Sequence, residues 1–173
     1  MHRPFAGLRL AGVIAALCLL AGCAQARAIA NAPVYVHMNG SNDFLEPVVA
    51  VRPGEPVVFV NQDTGMHTIV GYDPLTGAPE TAIDGMVVGT PGAGHRLPTY
   101  TVRLAKPGVY AYYCSVHAVL LKTFDHAVQP AHKPGADGLG SMAGYIIVTT
   151  DPALPKSNPP TSSERIVPGY FGG

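Results

Sequence analysis

Thiols are scarce in this chain of 173 residues, which has three cysteines, Cys18, Cys23 and Cys114. Cys18 lies in an N-terminal apolar stretch and Cys23 directly follows it. Only Cys114 is left for a mature folded domain, so no disulfide can form within one chain. Charge is scarce as well. Charged residues make up 13%, with Lys+Arg and Asp+Glu balanced at 11 each, and this excludes the basic footprint of a nucleic-acid-binding protein. The chain has no internal repeat, and its N-terminal apolar run is too short to span a bilayer comfortably. What it does have is 47% hydrophobic residues, enough for a core, punctuated by 20 Gly and 17 Pro. Short apolar runs separated by many turns predict a single all-β domain.

The first 22 residues read as a targeting segment: Arg3 and Arg9 make a positive start, and residues 10–20 are apolar. Leu20-Ala21-Gly22-Cys23 resembles a bacterial lipobox, which implies cleavage before Cys23 and lipid on its thiol. Ala24, which is not Asp, favours the outer membrane in such sorting, so the expected location is the periplasmic side, lipid-anchored. Soluble periplasmic secretion is the alternative. Residues 23–33 form a lipidated Cys and tether, residues 34–150 the domain, and residues 151–173 a Pro- and Ser-rich tail expected to be mobile.

Within the domain, strands are expected at 34–38, 48–51, 57–60, 68–70, 100–104, 109–114 and 145–150. Residues 71–98 read as irregular, with one short strand near 86–88. Residues 118–141 look inserted. Leu120, Leu121, Phe124 and Val128 have helical spacing, Pro130 would end that helix, and a Gly-rich loop follows. The insert is expected as a helix and loop over one end of the domain.

The residues that carry chemistry are His67, which follows the loop 61–66, and Tyr113-Cys114-Ser115-Val116-His117 at the end of a strand. C-x-x-H lets a thiolate and an imidazole converge from one tight loop, and two packed strands can bring His67 to the same end of a sandwich. A lone thiol outside the cytoplasm is prone to oxidation and cross-linking unless it is buried or a metal holds it as thiolate. Two His and one Cys with a weak axial thioether are the blue-copper donor set.

Three stretches, FLEPVVAVRPGEPVVFVNQDTGMHTIV (44–70), PGVYAYYCSVH (107–117) and MAGYIIV (142–148), resemble the cupredoxins, the plastocyanin- and azurin-like copper proteins. The resemblance implies a Greek-key β-sandwich. It implies one copper ion, Cu(I)/Cu(II), on His67, Cys114, His117 and Met142, and outer-sphere electron transfer with a redox partner such as a cytochrome or oxidase. In similar proteins a polar residue after the first ligand, here Thr68, bonds across to the Cys loop. The departure is the insert 118–141, since the axial Met of such proteins follows the second His closely. His126 and His132 lie in the insert as possible competing ligands.

The leading expectation is therefore an electron carrier and not an enzyme. Multicopper oxidases and copper nitrite reductases need His-x-His pairs, which are absent, and a binuclear purple-copper site needs a second thiolate. Copper sequestration or delivery is the alternative, motivated by His37, Met38, Met86, His95, His126 and His132.

Overall fold

The computed structural model describes residues 32–39, 42–138, 140–160 and 162–163. The signal segment and Cys23 lie outside the described residues. Among the described residues, ten strands follow in chain order: β1 (Val34–Met38), β2 (Val48–Val51), β3 (Pro56–Asn61), β4 (His67–Tyr72), β5 (Pro79–Val87), β6 (Thr99–Arg103), β7 (Gly108–Tyr113), β8 (Ala118–Lys122), β9 (Val128–His132) and β10 (Ala143–Val148). A 3-10 turn spans Leu154–Ser157. No helix of the described residues is long and apolar enough to cross a membrane.

Two sheets build the sandwich. One has the order β1-β3-β6 and the other β2-β10-β7-β4-β5, so most connections cross between sheets in Greek-key fashion. The sheets are mixed, since β1 runs parallel to β3 and β2 parallel to β10. Strand alternation fills the interior. Val57 and Phe59 of β3 meet Val49, Ile69, Tyr112 and Ile146 of the facing sheet in one buried cluster. At its centre Tyr112 receives Phe44 and Phe59 edge-on, with ring centroids 4.9 and 5.2 Å away, the arrangement the aromatic quadrupole favours.

The all-β sandwich is as expected, and four local expectations are corrected. The described residues of the insert hold no helix: β8 and β9 form an antiparallel hairpin, paired from Ala118↔His132 to Lys122↔Val128. The residues of helical spacing include a turn. The Thr123 N–H and hydroxyl both donate to the Ala127 carbonyl, at 2.8 and 2.9 Å. Asp125 accepts the Thr123 hydroxyl, and His126 adopts φ 67°. Phe124, which a helix would have buried, projects fully into solvent. Pro130 is tolerated because β9 is an edge strand.

The second correction is the placement of this hairpin. Leu120 and Val128 pack with Tyr72, Ala111 and Tyr113. The hairpin therefore covers the outer face of the five-stranded sheet, and only the chain after β9 returns to the site end. Third, residues 79–87 form a nine-residue edge strand where only a short strand near 86–88 was expected. Asp84-Gly85 resembles a turn, but Gly85 is there for close packing: a Cβ would lie 2.3 Å from the Tyr100 ring.

Fourth, the start of the tail is docked. Asn158 pairs with the backbone of Ala50 in both directions, accepting its N–H at 2.8 Å and donating to its carbonyl at 2.7 Å. It stands in for a strand at the edge of β2. The ring of His37 bonds the Ser162 carbonyl at 2.9 Å, and its other nitrogen lies 3.1 Å from Glu46.

Candidate metal centre

Three loops at one end of the sandwich meet at Cys114. Tyr110, Tyr112 and Cys114 occupy alternate positions on and just beyond β7, so all three point into the core. After β7 the chain turns tightly: the Cys114 carbonyl accepts the N–H groups of His117 (3.1 Å) and Ala118 (2.8 Å). That turn folds the His117 ring back over the sulfur. His67 opens β4, and the pairing of β4 with β7 sets Val70 opposite Tyr113, which brings His67 level with the Cys114 loop. His67 Nδ1 lies 3.8 Å and His117 Nδ1 3.4 Å from Cys114 Sγ. The two imidazole rings are 5.0 Å apart, and the three donor atoms all lie within 4.8 Å of one another.

Thr68 ties the two loops together. Its hydroxyl accepts the Ser115 N–H at 2.7 Å and sits 2.9 Å from Ser115 Oγ. Its backbone N–H donates to Cys114 Sγ at 3.4 Å and its hydroxyl to the same sulfur at 3.7 Å. Burial pushes the Cys114 thiol up. Hydrogen bonds from His67, the Thr68 backbone, His117 and the Thr68 hydroxyl outweigh that and bring it from the ordinary 9.0 to about 6. The site thus favours thiolate, the form a metal binds. Metal-free, the two imidazoles can donate protons to this sulfur, and a metal would displace those protons.

Met142 reaches the same place through the backbone. The Cys114 N–H donates to the Met142 carbonyl at 3.0 Å, and Ala143 pairs with Tyr113 where β10 meets β7. The insert therefore leaves at His117 and returns beside Cys114, as the chain geometry requires. Met142 is 1% exposed and holds φ 30°. A non-glycine residue in left-handed backbone costs about 1–3 kcal/mol and persists only where its surroundings enforce it.

His126 sits on the hairpin turn and His132 at the end of β9, where its Nδ1 bonds the Gly140 carbonyl at 3.2 Å. Neither belongs to the three-donor cluster. His37 is committed to Glu46 and the tail, and Met38 is core. Sequence reasoning missed Asp63, whose carboxylate lies 3.2 Å from His67 Nε2. The signal was available, since Asp63 stands four residues before His67 in a polar loop.

Exposure separates the donors. His67 and Cys114 are fully buried, and His117 is 7% exposed. Beside it lies an open groove of about 340 Å³, lined by Val116, His117 and residues 133–137. The insert's return loop is fastened here: Lys133 donates its N–H to the His117 carbonyl at 2.9 Å and its ammonium to the Ser115 carbonyl at 3.1 Å.

The chemistry of this donor set fits one copper ion. Two imidazole nitrogens and a thiolate, converging in a buried pocket with a methionine beside them, suit a soft, redox-active metal. No family model matches the sequence, and no curated protein does. Solved structures do. Amicyanin from Paracoccus versutus (Thiobacillus versutus) is 18% identical, with 68% of this chain and 81% of that one covered, at a TM-score of 0.43. A reduced Cu(I) form at pH 4 of an amicyanin mutant is 16% identical, over 68% and 82% of the two chains, at 0.43. At this level of similarity the donor geometry, and not the likeness, speaks for the chemistry.

Proposed function

We propose that this chain is a mononuclear copper protein of the cupredoxin type that acts as an electron carrier. The observation that carries the reading is the buried convergence of His67, Cys114 and His117 on one point. Bound copper would supply one-electron chemistry between Cu(I) and Cu(II). His67 and His117 offer Nδ1, Cys114 its thiolate, and Met142 a weak thioether. These four side chains would hold the ion by protein donors alone, as suits a carrier.

The framework prepares these donors in advance. Thr68 locks the His67 strand to the Cys114 loop, so little rearrangement is needed between oxidation states. Burial of His67 and Cys114 keeps bulk water off the sulfur. His117 is the donor with an edge to solvent, so a redox protein such as a cytochrome or oxidase would approach over His117 and the neighbouring groove.

We place the protein on the periplasmic side, held to a membrane by lipid on Cys23, with the outer membrane favoured by Ala24. The support is the Leu-Ala-Gly-Cys motif after an apolar run. Stable anchoring needs more than one acyl chain. Cys23→Ala should release the protein from the membrane fraction or block its maturation, and unchanged partitioning with normal maturation would favour plain secretion.

The decisive experiment is copper titration of the mature chain followed by visible absorption. One equivalent of copper should give an intense thiolate-to-metal band. A protein that takes up several equivalents without that band would favour copper sequestration or delivery instead. His37 and Met38, two residues that motivated that alternative, are already committed to Glu46 and to the core.

A further inference from the structure

His67 has a second nitrogen, Nε2, and it is engaged. Asp63 Oδ2 lies 3.2 Å from it, with the imidazole fully buried and the carboxylate side chain 18% exposed. A carboxylate only accepts, so Nε2–H is the donor, and with Nδ1, which faces Cys114, given to a metal this is the one proton the ring keeps.

The loop that carries Asp63 is held from several sides. The Asp63 N–H donates to Asn61 Oδ1 at 2.9 Å, and the Asp63 carbonyl accepts the Thr90 N–H at 2.7 Å. Asn61 is fully buried, and its Nδ2 donates to the carbonyls of Gly65 (2.8 Å) and Val88 (2.9 Å). One side-chain amide therefore joins the 61–65 turn to the chain leaving β5. The Thr64 carbonyl presses so closely on Gly89 that a Cβ there would lie 1.8 Å from its oxygen. The carboxylate is therefore fixed and does not sample the surface as a free side chain would.

We propose that Asp63 is a positioning residue of the metal centre, which orients His67 and lowers the reduction potential by favouring Cu(II) over Cu(I). The proposal rests on the copper reading above. Two effects act in the same direction. The hydrogen bond to Nε2 makes the imidazole a stronger donor. The negative charge, close to the site and mostly withdrawn from water, stabilises the more highly charged ion.

Asp63→Asn tests this in the full-length chain, because it keeps the size and an acceptor oxygen and removes the charge. Cu(II) and Cu(I) affinities, measured by chelator competition, and the potential, measured by voltammetry, are compared with the unsubstituted protein. Loss of such an outer partner typically costs about 10–100-fold in metal affinity. We expect about a tenfold loss of Cu(II) relative to Cu(I) affinity, which raises a one-electron potential by about 59 mV, with the thiolate band retained. Asp63→Glu should recover part of the shift. An unchanged potential in a coloured Asp63→Asn protein overturns the proposal and leaves the copper reading intact. An unsubstituted protein that shows no thiolate band with copper overturns that reading itself. Should Asp63→Asn fail to fold, Asp63→Ser replaces it: a raised potential supports the role and an unchanged one refutes it.

Discussion

The two faces of β7 carry different cargo. Its inward face presents Tyr110, Tyr112 and then Cys114 to the sandwich core, beside the two imidazoles. Its outward face presents Ala111 and Tyr113, covered by the β8–β9 hairpin through Leu120 and Val128. One strand thus joins a metal pocket within the sandwich to an added layer outside it. The difference teaches that an insertion between two ligands need not disturb the ligands. It leaves after His117, packs on the far side of the sheet, and re-enters where β10 pairs with β7 beside Cys114. Loop-closure entropy grows by only about 0.6 kcal/mol per doubling of length, so the detour is inexpensive when it can bury Val128.

The comparison breaks most completely at the sulfur. Cys114→Ser should abolish the intense visible absorption of the copper-loaded protein while far-UV circular dichroism stays that of a folded β domain. Colour retained in the mutant would mean that the donor is misassigned. The same atom governs pH dependence in the metal-free protein. The folded thiol titrates at about 6, below its ordinary 9.0. A depressed acid contributes stability that is complete above the unfolded value and is lost as pH falls through the folded one. Metal-free stability should therefore decline from about pH 9 towards 6, and Cys114→Ser should flatten that slope. Denaturant midpoints across the range are the check, and equal slopes in the two proteins would remove the thiolate from the account.

Next in size is Tyr112→Ala, which empties the centre of the inner face. A buried aromatic truncated to Ala costs about 3–5 kcal/mol, read as a fall in the chemical-denaturation midpoint. Tyr113→Ala, on the outer face and partly exposed, should cost distinctly less. Equal losses would mean that the hairpin layer is as well packed as the core.

The inner face was legible in the sequence because its signals are local. Period-two alternation marks a half-buried strand, and C-x-x-H marks two donors on one turn. Thr68 could be read from its place after His67. The outer face was not legible, because its signals are tertiary. Leu120, Leu121, Phe124 and Val128 fit a helical period as well as a hairpin, and only the Thr123–Ala127 turn decides between them. Strand β5 was hidden by Gly85, which looks like a turn residue until Tyr100 is laid against it. The tail reads as mobile by composition, yet Asn158 closes the edge of β2 with two bonds that no propensity encodes. Asp63 was visible but had no assigned partner until the fold placed it beside Nε2.

The hairpin layer is sharpened by Val128→Ala. Val128 is buried against Tyr72 and Ala111, and its N–H donates to the Pro74 carbonyl at 2.7 Å. Removing two methyl groups should cost about 1.5 kcal/mol at roughly 0.8 kcal/mol per carbon, with the copper band unmoved. A shifted band would mean that the outer layer communicates with the site through β7, and the separation of the two faces would fail.

The smallest expected effect falls on the inner face and tests how that face is built. Tyr112 is fully buried, and its hydroxyl has no hydrogen-bond partner among the described residues. Burial, and after it the charge of Glu46, pushes the phenol well above its usual range, so it stays neutral and contributes no charge. An unmet buried hydroxyl costs about 1–3 kcal/mol in desolvation, whereas the ring supplies the packing. Tyr112→Phe keeps the ring and its edge-on contacts with Phe44 and Phe59 and deletes only the unmet group. It should therefore be neutral or slightly stabilising, in contrast to the large loss for Tyr112→Ala. Urea denaturation of the two variants side by side separates the contributions. If Tyr112→Phe destabilises by more than about 1 kcal/mol, the hydroxyl has a partner in solution. The inner face would then be a polar-anchored core and not an apolar one.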